Sequence, residues 1–266
     1  MKNSSQNHDF DKYQYYLDSV QSPEEDANFL EQAYWDARQK KPQILREDFC
    51  AAFSLCCEWV KKGEDYQAIG IDLDDEPLEY GEKNYKALLS EEQQNRLKLF
   101  KLDATSTNLP NADIICALNF SYMGLKKRAD LLKYLKNCYQ SLNKDGILVL
   151  DCFGGSSTQE PNEHETIYDN FSYFWDQDTF NPVTHEAMFY IHFKRKNERK
   201  REQVFTYDWR LWSLAELKDL ADEAGFKSTH IYWEGTDEDG EGDGIFSKTE
   251  NGEECESWVS YLVAEK

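Results

Sequence analysis

The stretch QAIGIDLDDEPLEYGEKN, residues 67–84, decides how this chain is read. A short apolar run ends on an acid at Asp72, a turn follows, and a helix opens around Pro77, a residue suited to a first helical turn. An acid at the carboxyl tip of a second buried strand is how an α/β fold holds the two ribose hydroxyls of a nucleoside cofactor, because one carboxylate accepts both hydrogen bonds. Asp72 is that candidate, although Asp72 and Asp74 could also serve as helix caps. About twenty residues upstream, QILREDFC (43–50) supplies a first strand, and residues 51–60 supply a helix whose amino end would face the cofactor.

Working outward, residues 97–102 form a third strand ending at Asp103, residues 112–118 a fourth that is apolar enough to be buried on both faces, and GILVLDC (146–152) a fifth after a helix over 126–142. Strands alternating with helices require a parallel sheet with right-handed crossovers. Ahead of them, residues 1–42 carry aromatics at helical spacing and read as two helices. Beyond Phe153–Gly155 the pattern changes. Residues 165–212 hold thirteen aromatics, alternate polar with apolar, and predict an antiparallel insertion covering the sheet's edge. Ser213 and Glu216 form a capping box before a helix over 214–224 that stops at Gly225. Two last strands, 227–234 and 256–264, make an antiparallel pair joined by a long loop over 235–254. The expected organisation is a helical cover (1–42), a cofactor-binding domain (43–152 and 213–266) and an aromatic-rich substrate cover (153–212).

Charge narrows the partners. The formal net charge of the 266 residues is −21, and a surface of that sign repels a phosphate backbone, so nucleic acid is not the expected substrate. The basic run Lys194–Arg201 reads as a solvated hairpin tip, and a small cationic or amine-bearing substrate suits the field better. The start MKNSSQNHDF lacks a signal-peptide core, and no window has the ~18 apolar residues of a membrane span. The expectation is a soluble, cytoplasmic protein. The seven cysteines fall mostly in apolar runs and read as reduced, buried side chains. Cys56 and Cys57 are adjacent on a helix and diverge, so they are not a zinc pair, and His185 and His192 face opposite sides of a strand. The acidic loop DEDGEGDG (237–244) fails the calcium-loop pattern, with Glu241 at its fifth position and Lys248 at its twelfth. No metal is expected.

The strand order, together with LREDFC, GIDLDDEPLEYG, ALNFSY, GILVLDCFGG, FTYDWRLW and YWEG, resembles the class I S-adenosylmethionine-dependent methyltransferases, over roughly residues 40–152 and 205–264. LREDFC resembles the first motif of a bacterial-type subgroup of unnamed substrate. The resemblance implies a Rossmann-like, seven-stranded, mostly parallel sheet with an antiparallel last strand, S-adenosylmethionine as cofactor, and methyl transfer to a nitrogen or oxygen of a small molecule. It also places residues. Glu47 falls on the acid of the first motif, with Cys50 in the same turn, and Phe49, Ala51 and Phe53 fall where the family has three glycines. Asp72 with Leu73 matches the ribose and adenine contact. Asp103 with Ala104 matches the acceptor for the adenine amino group, with a turn acid as the alternative. Asn119 and Tyr122 match an NxxY skeleton that holds a target amine and stacks on the substrate. The lost glycines leave open a degenerate member kept as an interaction or sensing module.

Two further features accompany the resemblance. Trp175, Tyr190, Tyr207, Trp209 and Trp212 could form a water-excluding lid whose faces attract sulfonium or ammonium, or simply pack a small sheet. Arg210 either pairs with an acid of the sheet or binds a substrate carboxylate.

Overall fold

The computed structural model describes residues 10–237 and 242–266. Most of the MKNSSQNHDF start and half of the 237–244 loop therefore lie outside the described residues. Two helices come first, α1 (Lys12–Val20) and α2 (Pro23–Arg38). The second starts with Pro23 and three acids and ends with Arg38, which matches the helix dipole at both ends. The chain then alternates: β1 (Ile44–Asp48), α3 (Ser54–Lys61), β2 (Gln67–Asp72), α4 (Asp75–Asn84), the short α5 (Glu91–Asn95), β3 (Leu97–Lys101), β4 (Ala112–Ala117), α6 (Arg128–Ser141) and β5 (Leu142–Gly154). Four strands form a separate antiparallel sheet, β6 (Asn162–Ile167), β7 (Phe171–Asn181), β8 (Glu186–Arg195) and β9 (Arg201–Arg210). The chain closes with α7 (Leu214–Ala224), β10 (Ser228–Thr236), β11 (Gly242–Thr249) and β12 (Trp258–Glu265).

The large sheet has the order β11-β10-β12-β5-β4-β1-β2-β3. Strands β1 to β5 run parallel, and β12 lies antiparallel between β5 and β10. The chain path reverses between β1 and β4, the position at which open α/β sheets open a crevice beyond the strands' carboxyl ends. Alternate residues feed two cores. Ile115, Ala117, Leu148 and Leu150 pack against α6 and α7, while Ile114, Cys116, Ile147 and Val149 pack against α2 and α3. Burial on both faces explains why these strands read as unbroken apolar runs.

Two expectations are corrected. The sheet has eight strands, because Gly242–Thr249 pairs with β10 where a loop was expected. Its Gly- and acid-rich composition hides it, and Phe246 holds it by packing on Phe29 and Tyr261, at 5.7 and 4.6 Å between ring centroids. The aromatic insertion covers the carboxyl ends of the parallel strands and not the edge, since Trp175, Phe189 and Trp209 gather on Phe153 at the end of β5. The basic run is the β8–β9 turn, where Glu198 pairs with Arg195 and Arg201. Among the described residues, no helix is long and apolar enough to cross a membrane.

Candidate functional site

The turn after β1 carries backbone strain. Phe49, Ala51 and Phe53 have φ of 60°, 44° and 50°, all in the left-handed region, which costs a residue with a Cβ about 1–2 kcal/mol. These are the three positions at which the resemblance has glycine, so the loop keeps a glycine path without the glycines. Its surroundings hold it there. The Ala51 amide donates to Asp72 Oδ2 at 2.8 Å, the Phe53 amide donates to the Cys50 carbonyl at 2.7 Å, and the Cys50 amide donates to the Ile71 carbonyl at 3.1 Å. Gly81 of α4 admits the loop closely: a Cβ there would lie 2.3 Å from the Ala52 oxygen and 2.5 Å from the Phe53 ring.

Asp72 is therefore held in place. Its Oδ1 accepts from the Asp74 amide at 2.9 Å, and Asp74, not Asp72, caps α4 by accepting from the Glu76 amide. A carboxylate has about four acceptor positions, so the two amides leave room for hydroxyl donors.

Glu47, 6% exposed, stands at the end of β1 and accepts from the Cys56 thiol at 3.0 Å. Burial pushes its pKa up to about 8, helped by the charges of Asp26 and Asp72. A carboxyl whose folded pKa exceeds its unfolded value binds more protons when folded. Its stabilising contribution is complete below the unfolded pKa of about 4.3 and is lost as pH rises through about 8. Glu47→Gln should flatten this decline, seen as a smaller drop in urea midpoint between about pH 5 and pH 9. Asp26 and Asp151, whose pKa values burial pushes to about 6 and about 8, keep a slope of the same sign in that variant.

A cavity of about 370 Å³ opens over this turn, within the usual range for small-molecule sites. Glu47, Phe49, Cys50, Ala51 and Asp72 form its floor, and Asp74, Glu76 and Pro77 of α4 its side. Phe205, Tyr207 and Trp209 of β9 close it with Tyr13 and Tyr16 of α1. Lys12 bridges to Glu76 at 2.7 Å. Asn119, just past β4, lines this cavity and two others, one of about 100 Å³ walled by aromatic rings and one of about 830 Å³. Asn119 and Phe120 have φ of 53° and 57°, and the Phe120 amide donates to Asp151 Oδ1 at 2.9 Å. Left-handed residues with a side chain also occur in turns away from the cavity, at Asn108, Asp145 and His185 among others; what sets the β1 and β4 tips apart is that Phe49, Ala51, Asn119 and Phe120 line the cavities.

The structure brings together Glu47, Phe49, Cys50, Ala51, Asp72 and Asn119, and leaves the other candidates outside. Leu73 is 60% exposed and Ala104 is buried, and neither lines the cavity. Asp103 closes its own turn, accepting from the Thr105 amide and hydroxyl at 2.8 Å each. Tyr122 is fully buried and donates its hydroxyl to the Asp151 carbonyl at 2.8 Å, so it cannot stack on a substrate. Arg210 lies on the Trp212 ring at 3.7 Å and pairs with Glu216 at 2.9 Å, which corrects the substrate-carboxylate reading in favour of an ion pair, with a helix acid as its partner. Of the suggested lid, Tyr207 and Trp209 line the cavity and Trp175 the aromatic slot, while Tyr190 and Trp212 line none of the three.

Asp151 and Asp26 both line the 830 Å³ cavity, and neither is singled out in the sequence reading. Asp151 had a usable signal, an acid in the GILVLDC strand with the same placement logic as Asp72. Asp26 had none, because it sits in an acidic helix start.

One triad elsewhere resembles a metal site. Ligand atoms of Glu163, Asp176 and His192 lie within 4.8 Å of one another. His192 Nδ1 accepts from the Gln203 amide at 2.7 Å, which puts the proton on Nε2, and that nitrogen faces Asp176 at 3.0 Å. Lys200 already pairs with Glu163. The protonated nitrogen and the occupied carboxylate make a hydrogen-bond cluster, not a metal cage.

The chain matches no protein-family profile and no curated protein. Its fold matches those of solved methyltransferases. An S-adenosylmethionine-dependent methyltransferase from Clostridium acetobutylicum superposes with a TM-score of 0.68 at 14% identity, covering 94% of this chain and 97% of that one. An amino pentose methyltransferase from Micromonospora echinaspora, solved with S-adenosylmethionine bound, gives 0.67 at 13% identity, covering 97% and 98%. A sugar N-methyltransferase from Streptoalloteichus gives 0.64 at 14% identity, covering 100% and 98%. The chain has the Rossmann-like methyltransferase fold.

Proposed function

We propose that this protein is an S-adenosylmethionine-dependent methyltransferase acting on a nitrogen or oxygen of a small molecule. The observation that carries the reading is the left-handed path of Phe49, Ala51 and Phe53 beside Asp72 at the switch point of the sheet. Asp72 would take the ribose hydroxyls, the 49–51 backbone would lie along the methionine portion, and Glu47 and Asn119 would flank it. Leu73, Asp103 and Ala104 lie beyond the lining, so the proposal does not rest on them. The division into a helical cover (1–42), a cofactor domain (43–152 and 213–266) and a substrate cover (153–212) belongs to the same reading.

When bound, the cofactor would supply a methyl carbon on a cationic sulfur: a bond to the acceptor atom forms as the carbon–sulfur bond breaks, its electron pair staying on sulfur. The protein's part is to position the acceptor and to exclude water with Tyr16, Tyr207 and Trp209. Amine-directed neighbours such as the sugar N-methyltransferase and the negative field favour an amine over an alcohol. Titration calorimetry with S-adenosylmethionine and S-adenosylhomocysteine tests the reading. One site of saturable heat is expected for each, and no heat from either ligand ends the proposal.

A further inference from the structure

The 830 Å³ cavity adjoins the 370 Å³ cavity and shares Asn119 with it. Its charged lining is one-sided: Glu25, Asp26, Asp151 and Glu234 contribute, and among the described residues that line it none is Lys, Arg or His. Between the acids stand aromatic walls, including Phe120, Tyr173 and Tyr261. Asp151 is 7% exposed and lies next to Asn119, with its Oδ1 held by the Phe120 amide at 2.9 Å. On the neighbouring strand its register partner is Tyr261, which donates to Asp26 Oδ1 at 2.9 Å. Aromatic faces next to buried carboxylates attract an organic cation, exclude an anion, and gain little from a neutral polar group.

We propose that this cavity is the acceptor chamber, that it takes an alkylammonium carried on an apolar body, and that Asp151 accepts the proton which must leave the nitrogen before it can attack. This rests on the methyltransferase reading and deepens it. The proton step balances: the ammonium passes one proton to the carboxylate, leaving a neutral amine with its lone pair free and a neutral carboxylic acid. The groups facing Asp151 are Asp26 from α2, Tyr16 from α1, Cys116 from β4 and Tyr261 from β12, with the Tyr122 hydroxyl on its carbonyl. Burial raises the pKa of the tyrosines and of Cys116, so they stay neutral near pH 7. Burial pushes Asp151 up to about 8 and Asp26 up to about 6, so near pH 7 the chamber starts with Asp151 protonated and Asp26 charged. An ammonium that pairs with Asp151 first displaces that group's proton to solvent, and the carboxylate so formed is the one that takes the ammonium's proton, so one proton is released net whether the remaining one resides on nitrogen or on oxygen.

Benzylamine, benzyl alcohol and benzoate are the probes, titrated by NMR against the full chain, with S-adenosylhomocysteine measured in parallel. Benzylamine affinity should rise about tenfold per pH unit between about pH 6 and pH 8, exceed that of benzyl alcohol at least about tenfold at pH 8, and benzoate should not bind. Asp151→Asn should abolish the pH dependence between about pH 7 and pH 8, where Asp26 is already charged, while S-adenosylhomocysteine still binds. Equal binding of amine and alcohol, or amine binding flat with pH in the wild type, overturns the proposal. If S-adenosylhomocysteine binds and benzylamine does not, the amine chamber fails alone; if S-adenosylhomocysteine fails to bind, the methyltransferase reading falls first.

Discussion

Replacing Asp72 by alanine should weaken S-adenosylhomocysteine binding by about a hundredfold or more. Hydrogen bonds to a charged group contribute about 1.5–3 kcal/mol each, and two ribose hydroxyls would lose their acceptor. The same change releases the Ala51 and Asp74 amides, so the strained turn loses a tether as well. Asp72→Asn separates the two effects, because an amide oxygen can still hold one backbone donor while the charge is gone; its loss should be intermediate. Asp103→Ala is the contrast. Among the described residues its carboxylate accepts from Thr105 alone, so affinity should stay within about twofold of the wild type. Calorimetry reads all three, with circular dichroism to confirm that each variant is folded. Wild-type affinity in Asp72→Ala would remove the ribose contact from the proposal.

Sequence alone cannot separate Asp72 from Asp103. Both end a parallel strand and both precede a turn. The difference is three-dimensional: β2 lies beside β1, where the crevice opens, whereas β3 is the outer strand of the sheet. Patterns set by local periodicity were legible for the same reason that they fold locally. The α7 helix begins at its Ser213 cap and ends at Gly225 as read, and the parallel strands announce themselves by burial on both faces. What depends on distant contact was not legible. Strand β11 exists because Phe246 reaches Phe29 and Tyr261 across the sheet. Arg210 turns from the site because Trp212 and Glu216 receive it. The aromatic cover was visible as composition, but its position over the strand ends follows from Phe153 at the end of β5.

The lost glycines pose a question of sign. A left-handed residue with a Cβ is strained, so restoring glycine relieves about 1–2 kcal/mol at any of the three positions, and what the side chain does elsewhere decides the net effect. At Ala51 little is lost, because only a methyl group disappears. Ala51→Gly should therefore raise stability by up to about 1 kcal/mol.

Phe53 has the same backbone conformation and the opposite balance. It is 1% exposed, at the start of α3, with its ring against Gly81. Deleting a buried phenylalanine side chain costs about 3–5 kcal/mol. Relief of strain offsets about 1–2 kcal/mol of that, so Phe53→Gly should destabilise the fold by about 1–4 kcal/mol and slacken the turn that Asp72 holds. Urea midpoints of the two variants should move in opposite directions. The contrast carries a physical claim about how this chain dispenses with glycine: the turn is kept left-handed by what packs behind it, and the ring at Phe53 supplies that packing. A Phe53→Gly variant as stable as the wild type would show that the backbone holds this path without the ring.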